Sequence, residues 1–169
     1  MVTDDDLVTR FRGYQLDHDN REHYRARLDH VLLVNRCAAC GTWHHPPRPI
    51  CPACWSTDVV PTPVTGRGTV FMAIFLYQGP AAPGVDYATP YPVITVELDE
   101  QVGLRFTATA IGASNDQLQI GERVELDWLE RDGVPVPAFR LSDRAAMTKH
   151  QNLRADGDGR FLDGLNAFN

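Results

Sequence analysis

Two short cysteine motifs are the residues of this chain whose type and spacing most clearly imply a chemistry. Cys37-Ala-Ala-Cys40 and Cys51-Pro-Ala-Cys54 each place two thiols three positions apart. A two-residue spacer lets both thiolates of a tight turn point at one ion, and two such turns supply the four soft ligands of a tetrahedral site. The spacing therefore predicts one metal ion bound by Cys37, Cys40, Cys51 and Cys54. We expect zinc, although iron in a rubredoxin-like centre uses the same four ligands.

A site of four thiolates has no open position for water or substrate, so the predicted metal is structural. The ligands use up every cysteine of the chain, which leaves no cysteine nucleophile. We interpret His44 and His45 as ordinary loop residues beside a saturated metal. Glu97, Asp99 and Glu100 cluster where a predicted strand ends, and we interpret them as a solvated turn. No catalytic residue is therefore predicted, and we expect no catalysis from this chain alone.

Composition and charge narrow the class of protein. The chain has 169 residues, of which 43% are hydrophobic, so it can form a core. Its 16 basic and 22 acidic residues give a formal charge of −6, which disfavours a nucleic-acid partner. The first residues are acidic, whereas a signal peptide begins with basic residues followed by an apolar segment. The longest apolar run, about Val70 to Tyr77, is too short to cross a membrane. We therefore expect a cytoplasmic protein, and in that reducing compartment four paired cysteines favour metal ligands over disulfides.

The elements before and around the cysteines are predicted from periodicity. Residues 1–18 show no convincing period. A helix is expected from about Arg21 to Val34, with a buried stripe of residues at helical spacing: Tyr24, Leu28, Val31 and Leu32. We assign 1–35 to an N-terminal polar segment and helix, and 36–60 to a zinc ribbon that the metal holds together.

The region 61–141 is predicted to contain five strands. They span about 69–77, 91–98, 104–111, 123–130 and 134–141, with one helical turn at 114–119 between the third and fourth. This pattern fits a small closed barrel, and the OB fold is the best match, with the SH3-like barrel as the nearest competitor. The expected fold is mainly β: an N-terminal helix, a rubredoxin-like zinc ribbon and a five-stranded OB-fold barrel.

The first barrel strand carries the candidate contact surface. Simple alternation would place four side chains inside the barrel: Val70, Met72, Ile74 and Leu76. The same alternation places three aromatic side chains outside: Phe71, Phe75 and Tyr77. Such a stripe needs a cover, either from the N-terminal helix or from a partner. Tyr87 and Tyr91 flank the end of the following loop, which could equally border a ligand channel.

The C-terminal tail, 142–169, carries a second apolar stripe. Four residues there recur at helical spacing: Phe161, Leu162, Leu165 and Phe168. We expect at least one of the two stripes to contact another subunit. The Asp156–Gly159 stretch hints at a calcium loop, but Ala167 stands where the loop requires Glu, so we do not expect calcium.

Several motifs in order resemble a known family. They begin with Arg36-Cys-x-x-Cys-Gly41, His45-Pro-Pro-Arg48, Cys51-Pro-x-Cys54 and Gly66-Arg-Gly-Thr-Val70. They continue with Pro90-Tyr-Pro92, Val96-Glu-Leu98, Gln119-Ile-Gly121 and Val136-Pro-Ala-Phe-Arg140. Over about 20–141 the chain resembles the zinc-ribbon/OB-fold proteins, long labelled a domain of unknown function, that accompany thiolase-superfamily enzymes. Trp55 is a departure, since the family commonly has Gly there. This difference affects the expected backbone conformation of the second cysteine turn, but not the identity of the metal ligands.

The resemblance implies a non-catalytic accessory subunit of a thiolase-like acyl-CoA enzyme, with the four cysteines binding zinc. Its partner would be a thiolase-fold or lipid-transfer-protein-like aldolase subunit, and the chain would help to form the acyl-CoA site. A retro-aldol lyase of steroid side-chain degradation is the favoured complex. An acyltransferase or hydroxymethylglutaryl-CoA synthase complex is the alternative within the family. Outside it, the alternatives are a nucleic-acid-binding ribbon/OB module and a free-standing acyl-CoA carrier.

Overall fold

The computed structural model describes residues 2–81 and 85–142, and it begins with two short helices. Helix α1 is Asp4–Arg10 and helix α2 is Arg21–Arg27. Thr3 caps α1: its hydroxyl accepts the backbone N–H of Asp6, while its own N–H donates to the Asp6 carboxylate. Neither helix of the described residues is long or apolar enough to cross a membrane. The apolar stripe of the tail and the Asp156–Gly159 stretch lie outside the described residues.

Helix α1 and the turn after it form a small core that the sequence did not reveal. Leu7 and Phe11 are fully buried and pack with Val134, while the rings of Tyr14 and Tyr24 lie edge-on to Phe11. Asp4 ties this segment to α2 by ion pairs with two arginines of α2. A helix of two turns buries a single residue, so it leaves no repeat in the sequence.

Helix α2 ends at Arg27, so the predicted helix to Val34 was wrong in its second half. His30 has a left-handed backbone with φ of 56°, and strand β1 runs from Leu33–Cys37. An apolar run as short as Leu32-Leu33-Val34 fits a buried strand as well as a helix. Here the strand forms because β1 has a hydrogen-bonded neighbour on each side.

The ribbon is a three-stranded antiparallel sheet. Strands β2, Trp43–His44, and β3, Val59–Pro63, flank β1 in the order β2-β1-β3. Cys37 ends β1 and Cys40 lies in the loop that follows it, whereas Cys51 and Cys54 lie in the loop after β2. Leu32 and Val34 belong to the same hydrophobic cluster as the barrel residues, so the ribbon and the barrel share one core.

The remaining strands close a barrel. They are β4 Arg67–Leu76, β5 Tyr91–Leu98, β6 Arg105–Ala110, β7 Arg123–Arg131 and β8 Val134–Leu141. Their order is β4-β5-β6-β8-β7, with β7 pairing back to β4 and β6 parallel to β8. A short 3-10 helix, Asn115–Gln117, lies between β6 and β7. The predicted five-stranded OB-fold barrel is confirmed.

Two glycines lie at the start of β4, where residues of the neighbouring strands come too close for a side chain. Gly66 has φ of 73°, and a Cβ there would lie 2.4 Å from Cβ of Leu126 on β7. A Cβ on Gly68 would lie 2.5 Å from the carbonyl oxygen of Glu97 on β5. Both positions therefore exclude a side chain while β4 joins its two neighbours at the closure of the barrel.

A β-bulge in β4 overturns the alternation predicted for this strand. Val70 pairs with Val96, but Met72 pairs with Thr95, so the register shifts by one residue at Phe71. Beyond the bulge every side chain changes face. Ala73 and Phe75 pack against the barrel core, whereas Met72 and Ile74, predicted inside, are 43% and 42% exposed.

On β5 and β6, alternate side chains face the core and are buried: Ile94, Val96, Leu98, Phe106 and Ala110. In the hairpin between β7 and β8, Asp132 and Gly133 have φ of 51° and 76°, which is the left-handed pair that a tight two-residue turn requires.

Candidate metal centre and outer barrel face

The four cysteines converge at the end of the ribbon. The Sγ atoms of Cys37 and Cys54 are 3.7 Å apart, as are those of Cys40 and Cys51, and all four lie within 4.8 Å of one another. A tetrahedral ion with metal–sulfur bonds of about 2.3 Å requires sulfurs about 3.8 Å apart. Within residues 2–81 and 85–142, no other group of three or more His, Cys, Asp or Glu residues comes this close. The donor set fits one tetrahedral metal ion.

Two matching turns aim the sulfurs. In the first, the N–H of Gly41 donates to the carbonyl of Cys37 at 2.8 Å. In the second, the N–H of Trp55 donates to the carbonyl of Cys51 at 3.0 Å. Gly41 and Trp55 both adopt left-handed backbones, with φ of 77° and 62°. Trp55 thus takes the conformation that glycine takes in the first turn, and the ligand geometry is kept.

Hydrogen bonds from neighbouring residues, together with the other thiols, shift the pKa values of Cys40 and Cys54 in opposite directions. Hydrogen bonds with the side chain and backbone of Thr42 lower the pKa of Cys40 to about 6. The backbone N–H of Ser56 acts to lower the pKa of Cys54, but Cys40, partial burial and the remaining thiols raise it to about 12. Four thiolates cannot share this space without a cation to offset their charge. A divalent metal bound by these four cysteines would supply that charge and keep the thiols deprotonated.

Three histidines lie between α2, the ribbon and the barrel. His23 of α2 and His44 of β2 are buried, and the ring of His45 lies against that of Phe106, tilted by 42° with 4.8 Å between centroids. The interpretation of His44 as a loop residue was wrong, since it pairs with Asn35 in the sheet. Burial lowers the pKa of all three imidazoles, and that of His45 falls to about 4 with further lowering from His23 and Arg27. The sequence analysis singled out His44 and His45, which lie beside the cysteine motifs, but it did not identify His23.

The acidic residues near the end of β5 have structural partners. The carboxylate of Asp99 forms a two-pronged ion pair with Arg123, which also donates to the Thr69 hydroxyl. Glu100 accepts hydrogen bonds from the backbone N–H and the hydroxyl of Thr65. These contacts tie the β5–β6 turn to its neighbours and occupy carboxylate oxygens that a general acid or base would use.

The outer face of β4 is apolar and exposed. It is formed by three side chains of the strand, Phe71, Met72 and Ile74, and Tyr77 is exposed just beyond the end of the strand. Tyr77 is 75% exposed, and the guanidinium of Arg105 lies 3.4 Å from the centre of the Phe71 ring. Phe75, predicted on this face, packs instead against the core. The N-terminal helices pack on each other, on β1 and on β8, so this face stays uncovered by them.

Tyr87 and Tyr91 lie at one end of the barrel beside the β4–β5 loop. Their rings contact edge-on at 6.5 Å between centroids. The Tyr87 hydroxyl donates to the carbonyl of Pro80, and the Tyr91 hydroxyl accepts a hydrogen bond from Arg131 at 2.9 Å. The structure therefore brings these two predicted residues into contact. The hydrogen bond from Arg131 joins Tyr91 to the end of β7, next to the β7–β8 turn.

The fold and the cysteine site define a class: a four-cysteine ribbon followed by an OB barrel. Residues 25–60 match the family described as "ChsH2, rubredoxin-like zinc ribbon domain", and residues 61–129 match "ChsH2, C-terminal OB-fold domain". Together these matches cover more than half of the chain. The chain belongs to the ChsH2 family, also known as DUF35.

Individual relatives extend this comparison. A "Probable enoyl-CoA hydratase alpha subunit" of Thermomonospora curvata is 37% identical over 126 residues, which are 74% of this chain and 38% of that protein. A "3-oxo-4,17-pregnadiene-20-carboxyl-CoA hydratase alpha subunit" of Mycobacterium tuberculosis is 33% identical over 104 residues, 60% of this chain and 30% of that protein. The chain thus spans less than half the length of these two relatives. The solved structure titled "Ltp2-ChsH2(DUF35) aldolase" is similar with a TM-score of 0.68 and 37% identity, covering 76% of this chain and 98% of the matched one.

Proposed function

We propose that this chain is a non-catalytic accessory subunit of a thiolase-like acyl-CoA enzyme, and that the complex is a retro-aldol lyase of steroid side-chain degradation. The partner would be a thiolase-fold or lipid-transfer-protein-like aldolase subunit. The metal would be zinc, held by the four cysteines as a structural ion. A cytoplasmic location is part of the proposal, because the metal site needs a compartment that keeps its thiols reduced.

The observation that carries the proposal is the outer face of β4. Phe71, Met72 and Ile74 expose apolar side chains close together on this strand, and Tyr77, just beyond its end, is also exposed. Exposed aromatic and aliphatic patches of this kind are typical of protein interfaces, where large apolar side chains dominate the binding energy. The similar proteins support the same interpretation, since they are named as a subunit of an acyl-CoA enzyme and as an aldolase.

A contribution to the acyl-CoA site is the second part of the proposal. Tyr87 and Tyr91 border the loop between β4 and β5, and Arg131 holds the Tyr91 ring in place. This loop continues from the outer face of β4 at Tyr77, so a subunit docked on that face would lie beside it. We therefore propose that these tyrosines face the acyl-CoA bound by the complex.

The composition of the barrel surface supports the partner protein over a nucleic acid. OB folds bind oligonucleotides on the face of their second and third strands, here β5 and β6. The outward side chains there include Glu97 and the exposed Thr107, whose hydroxyl lies 3.0 Å from that of the buried Thr95. Arg105 is the cation of this face, and it is engaged with the Phe71 ring and lies 3.7 Å from Glu97. Such a surface offers little to a phosphate backbone.

Co-expression tests the proposal. The chain is produced with a lipid-transfer-protein-like aldolase subunit, and the complex is isolated and assayed for cleavage of a steroid side-chain acyl-CoA. We expect a stable complex with lyase activity, and no turnover by this chain alone. Acyl transfer or hydroxymethylglutaryl-CoA synthesis by a complex with another thiolase-like subunit would favour the alternative. Turnover by the pure isolated chain, or no complex with any thiolase-like subunit, would refute the proposal.

Matched variants test the surface. Ile74→Asp places a charge on the outer face of β4 and is expected to weaken the complex by at least about tenfold. Val102→Asp is the control, because Val102 is 91% exposed in the turn after β5 and lies off this face. Both variants should keep their metal, so a weaker complex with Ile74→Asp alone reports on the surface.

A further inference from the structure

The metal end of the ribbon is an apolar tip without acidic or basic residues. We define this tip as residues 38–40 and 50–55. Apart from buried Cys51, all of these residues are exposed, and Ile50 and Trp55 are 44% and 79% exposed. A tip of this kind leaves a large apolar area in water, which is uncommon unless another surface covers it.

Trp55 adds backbone strain to this exposure. Its φ of 62° lies in the left-handed region, where a non-glycine residue is disfavoured, and the matching position of the first turn is Gly41. Burial cannot offset the strain, because most of the indole ring faces water. Glycine at this position would relieve the strain, and the indole ring gains little packing within the chain. Strain that is kept under these conditions indicates that Trp55 contacts another molecule.

The charge of the tip identifies the kind of surface that fits it. A divalent metal with four thiolates carries a net charge of about −2. Cys40 and Cys54 are the exposed ligands, so this charge lies at the surface beside Trp55. A complementary surface combines an apolar pocket for the indole ring with basic side chains or N–H donors at its rim.

We propose that Trp55 and Ile50 form a docking tip that inserts into an apolar pocket, bordered by Lys or Arg, on the thiolase-like partner subunit. This second contact is separate from the outer face of β4, and it rests on the proposed function for the identity of the partner. The ribbon then has two roles: it is a structural element stabilised by the metal, and it contacts the partner subunit. Trp55 then provides an anchor that chains with glycine at this position lack.

The test compares Trp55→Gly with Val102→Gly, a control at an exposed position in a turn. Replacing Trp55 by glycine relieves strain, so the thermal midpoint and the metal content of the isolated chain should be unchanged or higher. Affinity for the thiolase-like subunit, measured by titration calorimetry, should fall by at least about tenfold. The wild-type complex should also weaken as salt rises from about 0.05 to 0.5 M, because the basic rim is screened. Trp55→Asn, which also tolerates a left-handed backbone, is the second variant.

Binding of both Trp55 variants at wild-type affinity would overturn the docking tip while leaving the proposed function intact. Affinity of the wild-type chain that does not depend on salt would overturn the basic rim. If the wild-type chain forms no complex with a thiolase-like subunit, both the proposed function and the docking tip are wrong. Weaker binding with unchanged stability, together with salt dependence, supports the proposal.

Discussion

The side-chain amide of Gln101 forms two hydrogen bonds with the backbone of Trp43. The N–H of Trp43 donates to Oε1 at 2.9 Å, and Nε2 donates to the carbonyl of Trp43 at 3.1 Å. Gln101 lies in the turn between β5 and β6, whereas Trp43 opens β2 of the ribbon. The amide thus pairs with β2 as a neighbouring strand would, and it joins the ribbon to the barrel outside their shared core.

Replacing Gln101 by Ala should therefore loosen the ribbon from the barrel. Both backbone groups of Trp43 would lose their partner, at a cost of about 1–2 kcal/mol in the free energy of unfolding. Urea denaturation measures this cost. Gln101→Glu keeps the acceptor and loses the donor, so it should fall between the wild type and Gln101→Ala. Gln119→Ala removes an exposed hydrogen bond and is the control; equal losses for all three variants would contradict the role of Gln101.

The metal prediction follows from the convergence of the four sulfurs. Elemental analysis of the purified chain should give one zinc ion per chain, and Cys51→Ser should lose it and destabilise the ribbon. Ser56→Ala, which leaves the four sulfurs in place, should retain the metal. A Cys51→Ser chain that keeps the fold of the wild type by circular dichroism and amide exchange would argue against a structural metal.

The bulge in β4 makes neighbouring residues respond oppositely to truncation. Phe75→Ala removes a ring that packs on the core and should cost about 2 kcal/mol or more of stability. Ile74→Ala and Tyr77→Ala remove exposed side chains and should change stability by less than about 0.5 kcal/mol. Chemical denaturation of the three variants compares them directly. If the original alternation were right, Ile74→Ala would be the destabilising change and Phe75→Ala the neutral one.

The buried histidines should make the fold sensitive to acid. The pKa of His45 is lowered from 6.5 to about 4 by burial and by the neighbouring His23 and Arg27. Below pH 6.5 the unfolded chain binds a proton that the folded chain does not, so stability is full above this pH and is lost as pH falls toward about 4. His45→Phe keeps an aromatic ring against Phe106 and removes the titration.

Denaturation of the wild type and His45→Phe at pH 7 and pH 5 isolates this contribution, because any acid effect on the metal site is common to both. The wild type should lose more stability between these two pH values than the variant. An equal loss in both proteins would show that His45 does not drive the acid sensitivity.

The cysteine site and most of the barrel could be predicted from the sequence because their signals are local. Two Cys-x-x-Cys turns specify a tetrahedral site by spacing alone, and alternation on β5 and β6 marks their inner faces without knowledge of their neighbours. Asp132-Gly133 specifies its turn by the left-handed backbone that both residues adopt. In each of these segments, the structure is determined by residues that are close together in the sequence.

Tertiary structure decided the features that depend on distant partners. The bulge at Phe71 arises from how β4 pairs with β5, and it moved Ile74 outside and Phe75 inside. Leu33–Cys37 became a strand because β2 and β3 offer hydrogen bonds on both sides, which a helical period in the sequence cannot anticipate. The sequence alone thus determined which residues are the candidate metal ligands, whereas the packing of the strands decided which side chains of β4 lie on the outside of the barrel, because the face of a side chain depends on register.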